Sequence, residues 1–102
     1  MKQLDMAKVV KRYNQIMVDC GWEHRTIGTR FSQDTQGWGL PQMVAEAKYL
    51  LGCYYEPGHS RYEDRNLDAY MHKAYLSETG KLKRFIATYK KYCWSIGGET
   101  NE

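Results

Sequence analysis

The sequence predicts a mainly α fold, a three- or four-helix single domain with an irregular or short extended segment between helices one and two. Three observations predict it: apolar residues recur at helical spacing in four stretches, the stretch after the first of them is rich in glycine and β-branched residues, and the composition is that of one small globular chain. The chain has 102 residues, 42% hydrophobic and 26% charged, which suits one domain over 1–96. A chain of this length buries roughly 65% of the surface it exposes when unfolded, enough for a core without a staple. The last residues, Gly97-Gly98-Glu99-Thr100-Asn101-Glu102, read as a disordered tail.

The first helix spans Leu4 to Cys20. Met6, Val9, Val10, Tyr13, Ile16, Met17 and Cys20 fall on one face, and Lys8, Lys11, Arg12, Gln15 and Asp19 on the other. Gly21 follows where a helix ends in the left-handed conformation that glycine adopts without steric cost. From Trp22 to Gly39 the helical period is lost. Thr26-Ile27-Gly28-Thr29-Arg30-Phe31 alternates like a short strand and forms one strand or none, and Ser32 to Gly39 is a turn-rich connection with Trp38 as its anchor. Pro41 suits the first turn of a second helix, whose stripe is Met43, Val44, Ala47, Leu50, Leu51 and Tyr54. Pro57-Gly58 ends it, and His59 to Asn66 reads as a charged surface loop.

Two further stripes follow, Leu67, Tyr70, Met71 and Ala74, then Leu82, Phe85, Ile86, Tyr89, Cys93 and Ile96. Between them Ser77-Glu78-Thr79-Gly80 reads as a break or kink, with Ser77 or Thr79 capping the next helix. The phase nearly carries through from Met71 by way of Tyr75, Glu78, Leu82, Phe85 and Tyr89, so one long helix is the competing reading. A mid-helix glycine costs only about 1 kcal/mol relative to alanine.

No apolar run approaches the roughly 20 residues that cross a bilayer, and the first twenty residues are interleaved with charges, so neither a signal peptide nor a membrane span is expected. Cys20, Cys53 and Cys93 are odd in number and widely spaced, which suits a reducing compartment; a cytoplasmic location is expected. They lack metal-ligand spacing relative to the three histidines, so neither a metal nor any other cofactor is expected. Glu46, Glu56, His59, Glu63 and Asp64 are the residue types of acid–base chemistry near the Pro57-Gly58 turn, but exposed loops are commonly this polar. No nucleophile elbow, phosphate-binding loop or dinucleotide fingerprint occurs, and no catalytic residue is assigned.

The cations are better organised. Lys and Arg outnumber Asp and Glu by 15 to 12, and Lys81, Lys83, Arg84, Lys90 and Lys91 share one helical stretch whose nearby acid is Glu78. Such a face is either a solvated helix surface whose lysines complement the helix dipole, or a contact for a polyanion. Arg25, Arg30, Arg61 and Arg65 extend the patch if the two loops fold to the same side, and Tyr62 joins the candidate binding set beside Arg61. Nine tyrosines are many for so short a chain. Tyr13, Tyr54, Tyr70 and Tyr89 lie on apolar stripes and are expected to pack inside. Tyr49, Tyr55, Tyr62, Tyr75 and Tyr92 fit less well, and suit core edges, protein interfaces or base stacking.

Phe31 to Trp38, Met43 to Tyr49, and Ser77 to Ala87 together resemble small proteins carried by phages and conjugative elements of Firmicutes, over roughly residues 22–90. Such elements encode single-domain proteins that disable host defence nucleases, anti-CRISPR proteins among them. The resemblance implies a non-enzymatic inhibitor in the host cytoplasm. Its partner would be the protein effector of a defence system, with or without its guide RNA. The basic balance here departs from the strongly acidic DNA mimics of that type. The alternative, drawn from the residues alone, is a small basic DNA- or RNA-binding regulator using the C-terminal helix.

Overall fold

The computed structural model describes residues 4–55 and 69–97. The fold is mainly α, with helices α1 (Met6–Asp19), α2 (Leu40–Tyr55) and α3 (Ala69–Gly97), and an irregular segment between α1 and α2 that contains a single 3-10 turn, Glu23–Arg25. The described residues contain no strand. The chain forms two compact units, one up to Trp38 and one from Gly39 onward.

In the first unit, Asp5 caps α1: its carboxylate accepts from the backbone N–H groups of Ala7 (3.1 Å) and Lys8 (3.4 Å), and the Lys8 N–H is shared with the Asp5 carbonyl at 3.0 Å. The helix ends as its glycine predicts. Gly21 takes φ +80°, its N–H donates to Val18 O, and the Trp22 N–H donates to Met17 O, the paired bonds of a Schellman turn. Val9, Tyr13, Ile16, Met17 and Cys20 form the buried face.

The following segment is tied to that helix by polar side chains. Tyr13 Oη donates to Arg25 O at 2.9 Å. The Asn14 amide grips Ile27 twice, accepting from its N–H at 2.8 Å and donating to its carbonyl at 2.9 Å. The β-branched alternation of 26–31 therefore does not make a strand. Thr26 and Thr35 are buried through their hydroxyls, Thr26 donating to Glu23 O and Thr35 to Thr26 O, both at 2.6 Å, while Thr29 and Ser32 close the ring around Thr26 Oγ1. Hydroxyls that bond nearby backbone offer the chain an alternative to a ladder, and here they win. Trp38 is half-buried beneath the Arg25 guanidinium, 4.9 Å from the ring centre.

In the second unit, Gly39 N–H donates to Gln42 Oε1 at 2.9 Å, the half of a capping box that a glycine N-cap can make, and α2 opens there. Leu40, Met43, Val44, Ala47, Leu50, Cys53 and Tyr54 are its buried face, and α2 packs against α3. Tyr54 meets the first half of α3, with its ring 5.9 Å from that of Tyr75, while Lys48 lies near enough to Cys93 to act on its thiol, so the helices run antiparallel.

The expected break at 77–80 does not occur: α3 is one helix through Gly80. Thr79 is buried, and its hydroxyl donates to Tyr75 O at 2.9 Å within the helix instead of capping a new one. Leu82 and Phe85, just beyond, are fully buried, and each contributes roughly 1.5–3 kcal/mol, which outweighs the ~1 kcal/mol cost of the glycine. The stripe that faces inward is the continuous one, Met71, Tyr75, Glu78, Leu82, Phe85 and Tyr89. Tyr70, expected inside, lies off that phase and is 80% exposed. Gly97 belongs to α3; the rest of the expected tail, 98–102, and the expected loop at His59 to Asn66 lie outside the described residues.

Candidate polyanion-binding face

The inward stripe of α3 decides what its opposite side presents. Glu78 is the only carboxylate between Ala69 and Gly97, and it points inward, 7% exposed, accepting a 2.6 Å hydrogen bond from Tyr54 Oη. Its charge is thereby withdrawn from the solvent side. Lys73, Lys83, Arg84, Lys90 and Lys91 are all exposed, and Lys81 is half-buried nearer the core edge.

Seven residues make almost two turns, so Lys83 and Lys90 lie nearly in line, as do Arg84 and Lys91, each pair about 10.5 Å apart along the axis. Two rows of cations thus border a strip floored by the small residues Gly80 and Ala87. From Lys73 to Lys91 the face is about 27 Å long. Like charges so arranged repel one another, and a polyanion relieves that repulsion.

Aromatic rings sit beside both cation pairs. Lys83 Nζ is 5.8 Å from the Tyr55 ring centre, and Lys91 Nζ is 5.4 Å from that of Tyr92. Tyr55 is 53% exposed and Tyr92 half-buried. Tyr89 packs on Phe85, with ring centres 4.8 Å apart, and closes the inner side. Cys93, one turn further, is half-buried; burial pushes its thiol above the usual value, and Lys48 opposes this by its charge.

The other sequence-derived candidates fall elsewhere. Arg30 belongs to the first unit, where its guanidinium lies over the Phe31 ring at 4.9 Å. Arg61, Tyr62 and Arg65 lie outside the described residues, as do Glu56, His59, Glu63 and Asp64, while Glu46 sits half-buried on α2. Among the described residues no three His, Cys, Asp or Glu side chains gather as metal ligands, and no helix is long and apolar enough to cross a membrane. Tyr55 and the burial of Glu78 were not legible as parts of this face, because both depend on which α2 residues meet α3. The first unit has an open cleft of about 450 Å³ lined by Ile27, Gly28, Ser32, Asp34, Thr35, Gln36 and Gly37. Its threonine and serine hydroxyls are engaged in the ring around Thr26.

No protein family matches the chain, and no curated protein or solved structure does.

Proposed function

We propose that this protein is a non-enzymatic binding module that docks on the phosphate backbone of a nucleic acid through the outer face of α3, in the cytoplasm of a bacterial host. The observation that carries the reading is the removal of the helix's only acid, Glu78, to the inner side, where Tyr54 engages it, so that the exposed cations share their helix with no competing carboxylate. A cation that meets a phosphate releases a condensed counterion, and this makes such binding favourable and steeply dependent on salt. The test is co-purification of the tagged protein from cells, with and without nuclease treatment, beside a variant carrying Lys83→Glu, Arg84→Glu, Lys90→Glu and Lys91→Glu. Nuclease-sensitive nucleic acid on the native protein and none on the variant is the expected result. Equal recovery by both removes α3 from the account.

A second reading, an anti-CRISPR-like inhibitor that occupies the surface of a host defence nuclease complex, is supported by the resemblance of residues 22–90 and by large exposed apolar and aromatic side chains. Phe31, Tyr49, Tyr70 and Leu76 are each more than half exposed, and Arg30 stacks on the first of them. Tyr and Arg supply many of the energetically dominant contacts of protein interfaces. In that reading the basic face meets an acidic surface of the effector or its guide RNA, and a protein partner survives nuclease treatment.

A further inference from the structure

We infer that the nucleic acid preferred by the α3 face is single-stranded, an inference that rests on the proposed polyanion-binding role of that face. Three features point the same way. The first is the pairing of cation and ring: Lys83 with Tyr55 at 5.8 Å and Lys91 with Tyr92 at 5.4 Å. In each pair the ammonium lies over one face of the ring, and a nucleotide whose base stacks on the other face brings its own phosphate within reach of that ammonium. Bases in a duplex are already stacked on one another and cannot take up this offer, whereas every base of a single strand has a free π-face.

The second feature is the absence of the amide side chains that read adenine. In the major groove Asn and Gln read adenine bidentately, whereas Arg and Lys read guanine but serve phosphates as well. Between Ala69 and Gly97 there is no Asn and no Gln, and Arg84 is the only arginine. The face can therefore hold a backbone, and its means of reading a duplex are confined to cations that serve phosphates equally well. The third is shape. The strip over Gly80 and Ala87, walled by the rows Lys83/Lys90 and Arg84/Lys91, lets a single backbone lie along the helix with cations on both sides. At Gly80 the nearest atom to an added Cβ is the flexible tip of Arg84, at 3.4 Å, so what covers the floor there is a guanidinium that can swing to a phosphate. The strand runs along α3, its phosphates between the two rows and one base on Tyr55. Tyr92, being half-buried, offers only part of its ring.

The experiment is a fluorescence-anisotropy titration of the full-length protein against a labelled single strand of about 20 nucleotides and the duplex of the same length, at salt concentrations from about 50 to 200 mM. The native protein, Tyr55→Ala and the quadruple charge reversal are compared, with circular dichroism as the check on folding. The expected result is a single-strand affinity at least about tenfold above that for duplex, and a slope of log affinity against log salt near −3, for four phosphates neutralised. Tyr55→Ala is expected to lose about tenfold on the single strand and nothing on the duplex. Duplex binding as tight as single-strand binding, or a Tyr55→Ala variant that binds the single strand like the native protein, overturns the single-strand inference. If the charge reversal still abolishes binding in that case, the basic-face reading stands. Absence of binding to either nucleic acid overturns both.

Discussion

Replacing Gly80 with alanine tests the continuity of α3 and, with it, the geometry of the basic face. In a helix interior glycine is about 1 kcal/mol less favourable than alanine, because it has more backbone freedom to lose on folding. Gly80 is half-buried on the outer side of α3, and an added Cβ meets only Arg84 Nη1, at 3.4 Å, an ordinary contact with the end of a flexible side chain. Nothing in the surroundings takes back the gain, so Gly80→Ala is expected to stabilise the protein by about 0.5–1 kcal/mol. For a domain of this size that raises Tm by roughly 2–8 °C. Thermal and urea unfolding followed by circular dichroism measure it, with unchanged or slightly greater helicity in the native baseline. A drop in stability would refute the reasoning, because it would mean that Gly80 ends one helix in a conformation that alanine cannot adopt. The rows Lys83/Lys90 and Arg84/Lys91 would remain, but Lys73 would no longer extend them.

Three other outcomes follow from the packing. Tyr54→Phe removes the donor to the buried Glu78 carboxylate and is expected to cost about 1–3 kcal/mol in urea unfolding; a neutral result would show that Glu78 does not depend on this bond. Asn14→Ala breaks both bonds to Ile27 and is expected to cost about 1–3 kcal/mol and speed hydrogen exchange at the Ile27 amide, whereas unchanged exchange would mean that α1 does not hold the segment in place. Cys93 is the half-buried cysteine, Cys20 and Cys53 being buried, so it should react first with iodoacetamide. Burial raises its pKa and so favours the neutral thiol. Alkylation therefore needs a higher pH than a free cysteine does, and a mass-spectrometric rate profile whose midpoint lies below that of free cysteine contradicts this.

Much of the fold is local and was readable in the residues. The α1 stripe, its end at Gly21 and the α2 stripe each depend on neighbours within a few positions. Where the reading failed, distant contacts decided. Ser77-Glu78-Thr79-Gly80 has the composition of a helix break, but Glu78 is bound by Tyr54, 24 residues away, and Leu82 and Phe85 are buried on the same stripe. No local propensity outweighs that packing. Tyr70 illustrates the reverse: a short window places it on an apolar stripe, and the phase of the whole helix turns it outward. The β-branched residues of 26–31 leave one strand or none open, and the spacing of Thr26, Thr29 and Ser32 around Gly28, that of side chains that bond their own backbone, decides for none. The cations of α3 were legible as a set, because charge is visible in sequence. That Lys83 and Lys91 each stand beside a tyrosine was legible only for Tyr92, its chain neighbour.

The claim that the outer face of α3 is the docking surface is tested most directly by mapping it in solution. Backbone amide shifts of the isotope-labelled protein would be followed during titration with a short single-stranded oligonucleotide at low salt. The perturbed amides are expected to cluster between Gly80 and Tyr92, together with Tyr55, and to return to their free positions as salt is added. Perturbations confined to the Arg30 and Phe31 segment of the first unit, or none at all, would contradict it.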